Sequence, residues 1–481
     1  MRPESGRFWN LHNQKGSRVR QKSFFLLFLA LLALVQASAQ DSSPAASPEM
    51  AAEHQTSAQQ ESSASGMNMS GMSQSGMNMQ GMNMPMENPS TFQMPSPHAG
   101  SGTGWQPASV PEHDWMWMRG GWELMAHGVI FADYNQQGGP RGEGKAESVN
   151  VGMLMEQHRL GAGTILLREM FSAESLTSPH PGFPELFQTG ETYHDHQLVD
   201  HQHPHNVFAE LAGLYTLPLT EKISWEFYGG PSAEPALGPV TYIHRASASE
   251  LPLAPLSHHL QDSTHTSFGV ATTGFVIDRV KLEASAFNGR EPNEERWSIQ
   301  LSALDSWSGR AIVAASSNWT AQYSVGRLEH PEALEPGSQW RETASVEYNR
   351  PAARSDAVWG NWATTAIWGR VHKIATQTTL NSYLLESTLN FRRRNYAFSR
   401  LELVDKDELF PQAAVHPVYR IGAYTFGGER DLIQDHIWQL GLGADVTVYS
   451  KPGALDAAYG NYPVSFQIFL RMRPGSSHSH H

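Results

Sequence analysis

The sequence predicts an all-β chain, a transmembrane antiparallel up-and-down β-barrel of about 12–16 strands preceded by a disordered N-terminal tail. Three observations carry that expectation. The first is a period-two alternation of apolar and polar residues in about fourteen segments between Trp122 and Arg473, separated by turn-forming clusters. The second is charge in the middle of such segments: Glu123, His127 and Asp133 fall on one side of a single candidate strand, which a dry sandwich core would not tolerate but a wet lumen would. The third is the placement of aromatic residues at or near segment ends, where membrane interfaces require them: Trp122, Trp225, Trp297, Trp319, Trp340, Trp359, Trp368, Trp438 and Tyr449.

From the N-terminus, residues 1–39 read as a signal peptide. Arg2, Arg7, Lys15, Arg18, Arg20 and Lys22 form a basic region, FFLLFLALLALV (24–35) is an apolar run too short to span a bilayer, and Ala37-Ser38-Ala39 offers a cleavage site. An export route agrees with the absence of cysteine, which also removes thiolate metal sites and cysteine nucleophiles from consideration. Taking six bases and Glu4 away with the signal, from 34 Lys+Arg and 47 Asp+Glu, leaves 28 against 46 and a formal charge of −18. Such a surface repels nucleic acid and attracts cations.

Residues 40–112 are low in complexity, rich in Ser, Ala, Gln, Pro, Gly, Met and Asn, and nearly devoid of branched apolar residues. They bury too little surface to offset backbone ordering and are expected to be disordered. Composition changes at His113-Asp114-Trp115, and residues 113–475 form the expected barrel, followed by a histidine-containing tail at 476–481.

Within the barrel region, residues 148–158 (SVNVGMLMEQH) set Val149, Val151, Met153 and Met155 on one face. Residues 297–303 align Trp297, Ile299, Leu301 and Ala303. Residues 381–391 alternate Tyr383 and Leu385 with Leu384 and Glu386, and residues 464–472 oppose Val464, Phe466, Ile468, Leu470 and Met472 to Ser465, Gln467 and Arg471. The apolar sides are expected to face lipid and the polar sides water. Turns are expected at 135–144 (NQQGGPRGEG), 288–295 (NGREPNEE), 335–337 and 451–453. A secreted β-sandwich is the competing architecture; propellers lose ground for want of blade-length self-similarity.

Two stretches carry chemistry. Residues 66–86 read GMNMSGMSQSGMNMQGMNMPM, with Met67, Met69, Met72, Met77, Met79, Met82, Met84 and Met86 recurring and Met94 further on. Spacing of the M-x-M kind brings two thioethers to one side of an extended chain, and thioethers are soft, uncharged donors suited to Cu(I) and Ag(I). A flexible spacer or an oxidant-scavenging tract would use the same residues differently. The second stretch, residues 193–206, is YHDHQLVDHQHPHN. If extended, it points His194 and His196 one way and His201, His203 and His205 another, with Asp195 and Asp200 between them. Imidazoles with carboxylates suit Cu(II), Zn(II) or Ni(II), and equally form a hydrogen-bonded lumenal network. His258, His259 and His265 with Asp262 form a later group, and His478, His480 and His481 a terminal one.

Signal peptide, Met-rich segment and barrel together resemble the copper-resistance protein B family of Gram-negative outer membranes. That family's repeats mix Met with His and Asp, whereas 66–86 uses Met with Asn, Gly and Ser. The segment 201–210 is likewise similar to stretches of Gram-negative outer-membrane proteins. The resemblance implies an outer-membrane protein that binds copper ions in tolerance or efflux. Its partners would be outer-membrane lipid, metal ions and periplasmic copper-handling proteins. The alternative is a general porin for a small solute with no metal role. No G-x-S-x-G, H-E-x-x-H or phosphate-loop pattern occurs, so no enzyme is expected.

Overall fold

The computed structural model describes residues 96, 98–178, 180–335, 337–352 and 358–475. The signal peptide, Met67–Met86 and the terminal histidines lie outside the described residues. The strands are β1 (Asp114–Arg119), β2 (Trp122–Gln136), β3 (Gly144–Leu160), β4 (Gly163–Phe171), β5 (Phe183–Pro184), β6 (Glu191–Tyr193) and β7 (His196–Leu198). They continue with β8 (His201–Gln202), β9 (Phe208–Pro218), β10 (Ile223–Ser232), β11 (Val270–Ile277), β12 (Val280–Phe287), β13 (Ser306–Ser316) and β14 (Trp319–Leu328). The last are β15 (Gln339–Arg350), β16 (Trp359–Lys373), β17 (Thr378–Phe391), β18 (Asn395–Lys406), β19 (Tyr419–Gln434), β20 (Trp438–Ser450) and β21 (Val464–Pro474).

Each long strand pairs antiparallel with its neighbour in sequence, and β21 returns to pair with β2, closing a 16-strand barrel within the expected range. The row beside β2 is shared. β21 pairs with its second half (Met472 with Ile130), and β1 pairs with its first half (Asp114 with His127), so one row of the wall is built from both extremes of the barrel chain. Gly120 and Gly121, both at positive φ (59° and 83°), make the two-residue turn that folds β1 back on β2.

Most connections alternate in length, the exceptions being 351–358 and 374–377. Residues 120–121, 161–162, 219–222, 278–279, 317–318, 392–394 and 435–437 are tight turns at one rim, while the segments 172–207, 233–269, 288–305, 407–418 and 451–463 emerge at the other. In transmembrane barrels the tight turns are periplasmic and the long connections extracellular.

The outer wall is greasy. Val464, Phe466, Ile468 and Leu470 of β21 and Tyr383 and Leu385 of β17 are exposed, while Ser465, Gln467, Leu384 and Glu386 are buried inside, the arrangement the alternation predicts. Aromatic rings gather at both rims: Trp319, Tyr348 and Trp362 touch in a row near the tight turns, and Trp307 packs edge-on against Trp340 near the long connections. Leu385 lies at the middle of β17. Leu385→Arg is expected to destabilise the lipid-inserted barrel by about 2–4 kcal/mol, the penalty for a cation at mid-membrane. The same exchange on a water-facing surface costs within about 0.5 kcal/mol. Urea titration in lipid vesicles distinguishes the two.

Four expectations need correction. The apolar face of Val149, Val151, Met153 and Met155 exists but is lumenal: these side chains are buried, with Met153 and Met155 packed on Met125, Met170 and Met116 and Val149 on Phe131 and Phe183. Alternation marks two faces without saying which is wet, and here inward-folded chain supplies apolar partners. Residues 297–303 form no strand; they lie in the loop between β12 and β13 and enter no strand ladder. Tyr449 turns inward, its ring against Phe187 and its hydroxyl donating to Gln137, and Trp368 sits mid-strand, so neither belongs to a rim. Finally, the N-terminal boundary at 113 is too late. Within 98–112, Ser101 and Thr103 are buried against the lumenal wall, where Ser101 donates to Glu234 and the Thr103 carbonyl accepts from Lys281. A polar, small-residue segment that has no core of its own is ordered here by hydrogen bonds the wall provides.

Candidate functional site

Two long connections fold into the lumen, 172–207 and 233–269. Both carry backbone that a sheet would otherwise satisfy, so they lean on the wall for partners. Segment 233–269 crosses to the far side. Arg245 donates from Nε to Glu386 of β17 (2.7 Å) and from Nη1 to Asp262 (2.8 Å), Ser247 donates to Thr365 of β16 (2.7 Å), and Ser257 donates to Glu402 of β18 (2.7 Å). Glu250 receives Arg473 from β21 (3.0 Å) and also pairs with Arg471. An apolar cluster of Leu186, Phe187, Leu256, Leu260, Val404 and Tyr459 seals this partition.

The histidine stretch does not run extended. His194 and Asp195 take left-handed backbone (φ 51° and 61°) and form a two-residue turn, so Tyr193 pairs with His196 across a miniature hairpin of β6 and β7. His194, Asp195 and His196 therefore sit at an exposed tip and share no strand face. Asp200 is also left-handed (φ 61°); its carboxylate binds Arg141 (2.7 Å) and accepts from the Phe187 backbone N–H (2.7 Å), a role in loop shape. Burial nonetheless pushes its pKa up, against the pull of Arg141.

The remaining three histidines separate. His201 pairs with the half-exposed Glu143 (3.2 Å). His203 and His205, two residues apart across Pro204, both enter the interior but meet different carboxylates. His203 Nδ1 donates to the Pro204 carbonyl (3.0 Å) and its Nε2 lies 2.5 Å from Glu191 Oε1. The second oxygen of Glu191 receives Arg296 (3.4 Å). The His259 ring completes this group, with Nε2 3.9 Å from Glu191 Oε1 and Nδ1 3.8 Å from Glu291 Oε1. His205 Nδ1 and its backbone N–H both lie 2.8 Å from Glu174 Oε2, and its Nε2 is 3.1 Å from His265 Nε2. His265 Nδ1 donates to the Asp262 carbonyl (2.9 Å), and His258 Nδ1 binds the Asp262 carboxylate (2.6 Å).

The later group of histidines thus interleaves with the earlier one, and the sequence windows missed the acids that bind them. Glu191 lies two residues ahead of the 193–206 window. Glu174 and Glu291 are far off in sequence, and only the infolding brings them close. Burial pushes His259 down to about 4, with Glu191 opposing, and holds His203 well below its usual value, with Arg296 adding to the effect. It raises Glu191, against Arg296 and His259. Two spaces flank the partition. One, about 380 Å³, lies toward the tight turns and is lined by Met125, Met153, Met155, Met170, His127 and His244 among others; the other, about 550 Å³, opens at the long-connection rim beside Asp195, His196 and Lys373.

No family model matches the chain, and no curated protein matches it; neither comparison carries a likeness to copper-resistance protein B. Among solved structures it is similar to an anion-selective porin from Comamonas acidovorans, at 9% identity and a TM-score of 0.47 over 73% of this chain and 99% of that one. It is also similar to OmpF of Salmonella typhi in complex with daunomycin, at 8% identity and 0.46 over 75% and 100%. A third is OprB of Pseudomonas putida, at 8% identity and 0.45 over 74% and 94%.

Proposed function

We propose that this chain is a porin-type conduit of a Gram-negative outer membrane, passing a small polar or charged solute, and that its own inward segments hold the passage shut in the described conformation. The observation that carries the reading is the pair of vestibules, about 380 and 550 Å³, at opposite ends of one lumen with no lining residue in common. Between them stands an ion-paired partition anchored on Arg245, Asp262 and Glu386. A 16-strand barrel is wide enough for a water-filled channel, so the partition and not the wall sets the bore. Reconstitution into planar bilayers tests this: the wild-type chain is expected to show a low conductance with brief openings, and a wide, permanently open state would refute a closing partition.

A copper role is a second reading, favoured by four buried thioethers, Met125, Met153, Met155 and Met170, on the wall of the inner vestibule. Soft donors there would receive an ion gathered by Met67–Met86, which lies outside the described residues. Competitive titration with a Cu(I) chelator decides it. Deleting 66–86 is expected to weaken Cu(I) retention at least tenfold; unchanged affinity removes the tract from the scheme.

A further inference from the structure

We propose that Glu191, His203 and His259 form a binding site for a borderline divalent cation of the Zn(II), Co(II), Ni(II) or Cu(II) class, tying the two inward segments together. The inference does not rest on the passage reading. One donor atom from each of the three residues lies within 4.8 Å of the other two, and small ring rotations would bring them to the roughly 3.3 Å separation of ligands around one tetrahedral ion.

Hydrogen-bond accounting singles out this group. His203 Nδ1 faces a carbonyl, which only accepts, so the Nδ1 proton is committed and Nε2 presents a lone pair to the Glu191 carboxylate 2.5 Å away. Two lone pairs at that distance repel unless the two groups hold a proton between them, or draw apart to share an ion. The Glu174–His205 pair differs in that its neighbour, His265 Nε2, is itself hydrogen-bonded to His205 Nε2 (3.1 Å) and is not left over. At Glu191 a third donor is present. Both ring nitrogens of His259 are buried without a hydrogen-bond partner, and the residue is 5% exposed. A buried, unpartnered imidazole is costly and requires an explanation.

The surroundings are those of a metal-bound histidine pair. Ligating imidazoles turn their other nitrogen to a carbonyl or carboxylate, which fixes the tautomer. His203 uses the Pro204 carbonyl, and His259 Nδ1 points at Glu291, 3.8 Å away. Arg296 holds the second oxygen of Glu191. Two imidazoles and one carboxylate suit borderline divalent ions better than Ca(II) or Mg(II), and three protein ligands leave a position open for water or an exchanging ligand. An entry path exists. A small cavity lined by Glu191 and Glu291 shares Gln197, Leu334 and Glu335 with the outer vestibule.

The test uses the full chain folded in detergent micelles, with Co(II) as the probe and its visible ligand-field absorption as the readout. One equivalent of Co(II) is expected to give a band that His203→Gln and His259→Gln each abolish. His196→Gln, at the exposed tip, and replacement of His478, His480 and His481 are expected to leave it unchanged. Heat-shifted gel mobility reports folding of each variant, and Glu191→Gln, which keeps the volume, substitutes for any variant that fails it. A folded wild-type chain without a stoichiometric band, or a band that survives His203→Gln together with His259→Gln, overturns the site. Conductance is not the readout, so a failed site leaves the passage reading standing.

Discussion

Excising residues 236–264 and joining the stumps with a short Gly-Ser link is expected to raise single-channel conductance on the order of tenfold or more, toward that of an open barrel of this strand number. The base of the segment is already closed: Ala233 and Ser267 exchange two backbone hydrogen bonds (3.0 and 2.9 Å), and β10 and β11 pair directly from Gly230 and Val270 outward. The wall therefore keeps its ladder when the crossing chain is gone. What leaves is Arg245, Ser247, Glu250 and Ser257, the groups that span to β17, β16, β21 and β18. Glu386 keeps Arg400 and Arg471 keeps Glu429 and Asp431, while the side of each that faced the segment, and Glu402, are solvated by water. Bilayer recordings of the excised and intact chains provide the check. Equal conductance would mean that the crossing segment is not the barrier.

Arg245→Met is expected to cost about 3–5 kcal/mol, the range for breaking a buried ion pair from one side. The guanidinium is fully buried and holds Glu386 (2.7 Å), Asp262 (2.8 Å) and the Val240 carbonyl (2.9 Å). Glu386 would keep Arg400 (3.0 Å) and Ser247 (2.9 Å), and Asp262 would keep His258 (2.6 Å), which places the loss toward the lower part of that range. Glu386→Gln, alone and combined with Arg245→Met, closes a double-mutant cycle in which a coupling above about 1 kcal/mol identifies direct interaction. Urea unfolding followed by tryptophan fluorescence in micelles measures both terms. Additive effects would show that the pair contributes nothing beyond its separate members.

How much of this was legible in the sequence varies with the element. β17 and β21 could be read face by face, because their apolar side meets lipid and their polar side meets ion pairs. β3 could be read as two faces but not oriented, since lumenal apolar partners come from chain tens of residues away. Residues 297–303 carry the period of a strand but join no ladder, and periodicity does not report ladder pairing. Around the histidines, residue types were informative and spacing was not. Two consecutive left-handed residues at 194 and 195 reverse the chain, so His194 and His196 end at the tip while His203 and His205 go inside. The acids that receive them, Glu174, Glu191 and Glu291, converge only when two loops enter the same lumen. The outward charge balance pointed to cations, and the buried groups that would take one were invisible to it.

The shared row beside β2 has a consequence for the seam of the cylinder. Because β21 stops short of Trp122–His127 and β1 completes that course, a chain trimmed to start at Trp122 would retain a bare margin of unpaired amides and carbonyls near the tight-turn rim. Such a margin accepts strands from other molecules, so the trimmed barrel would stick to its own copies. The six residues of β1 thus act as a selvedge, keeping the closed weave from fraying into aggregates.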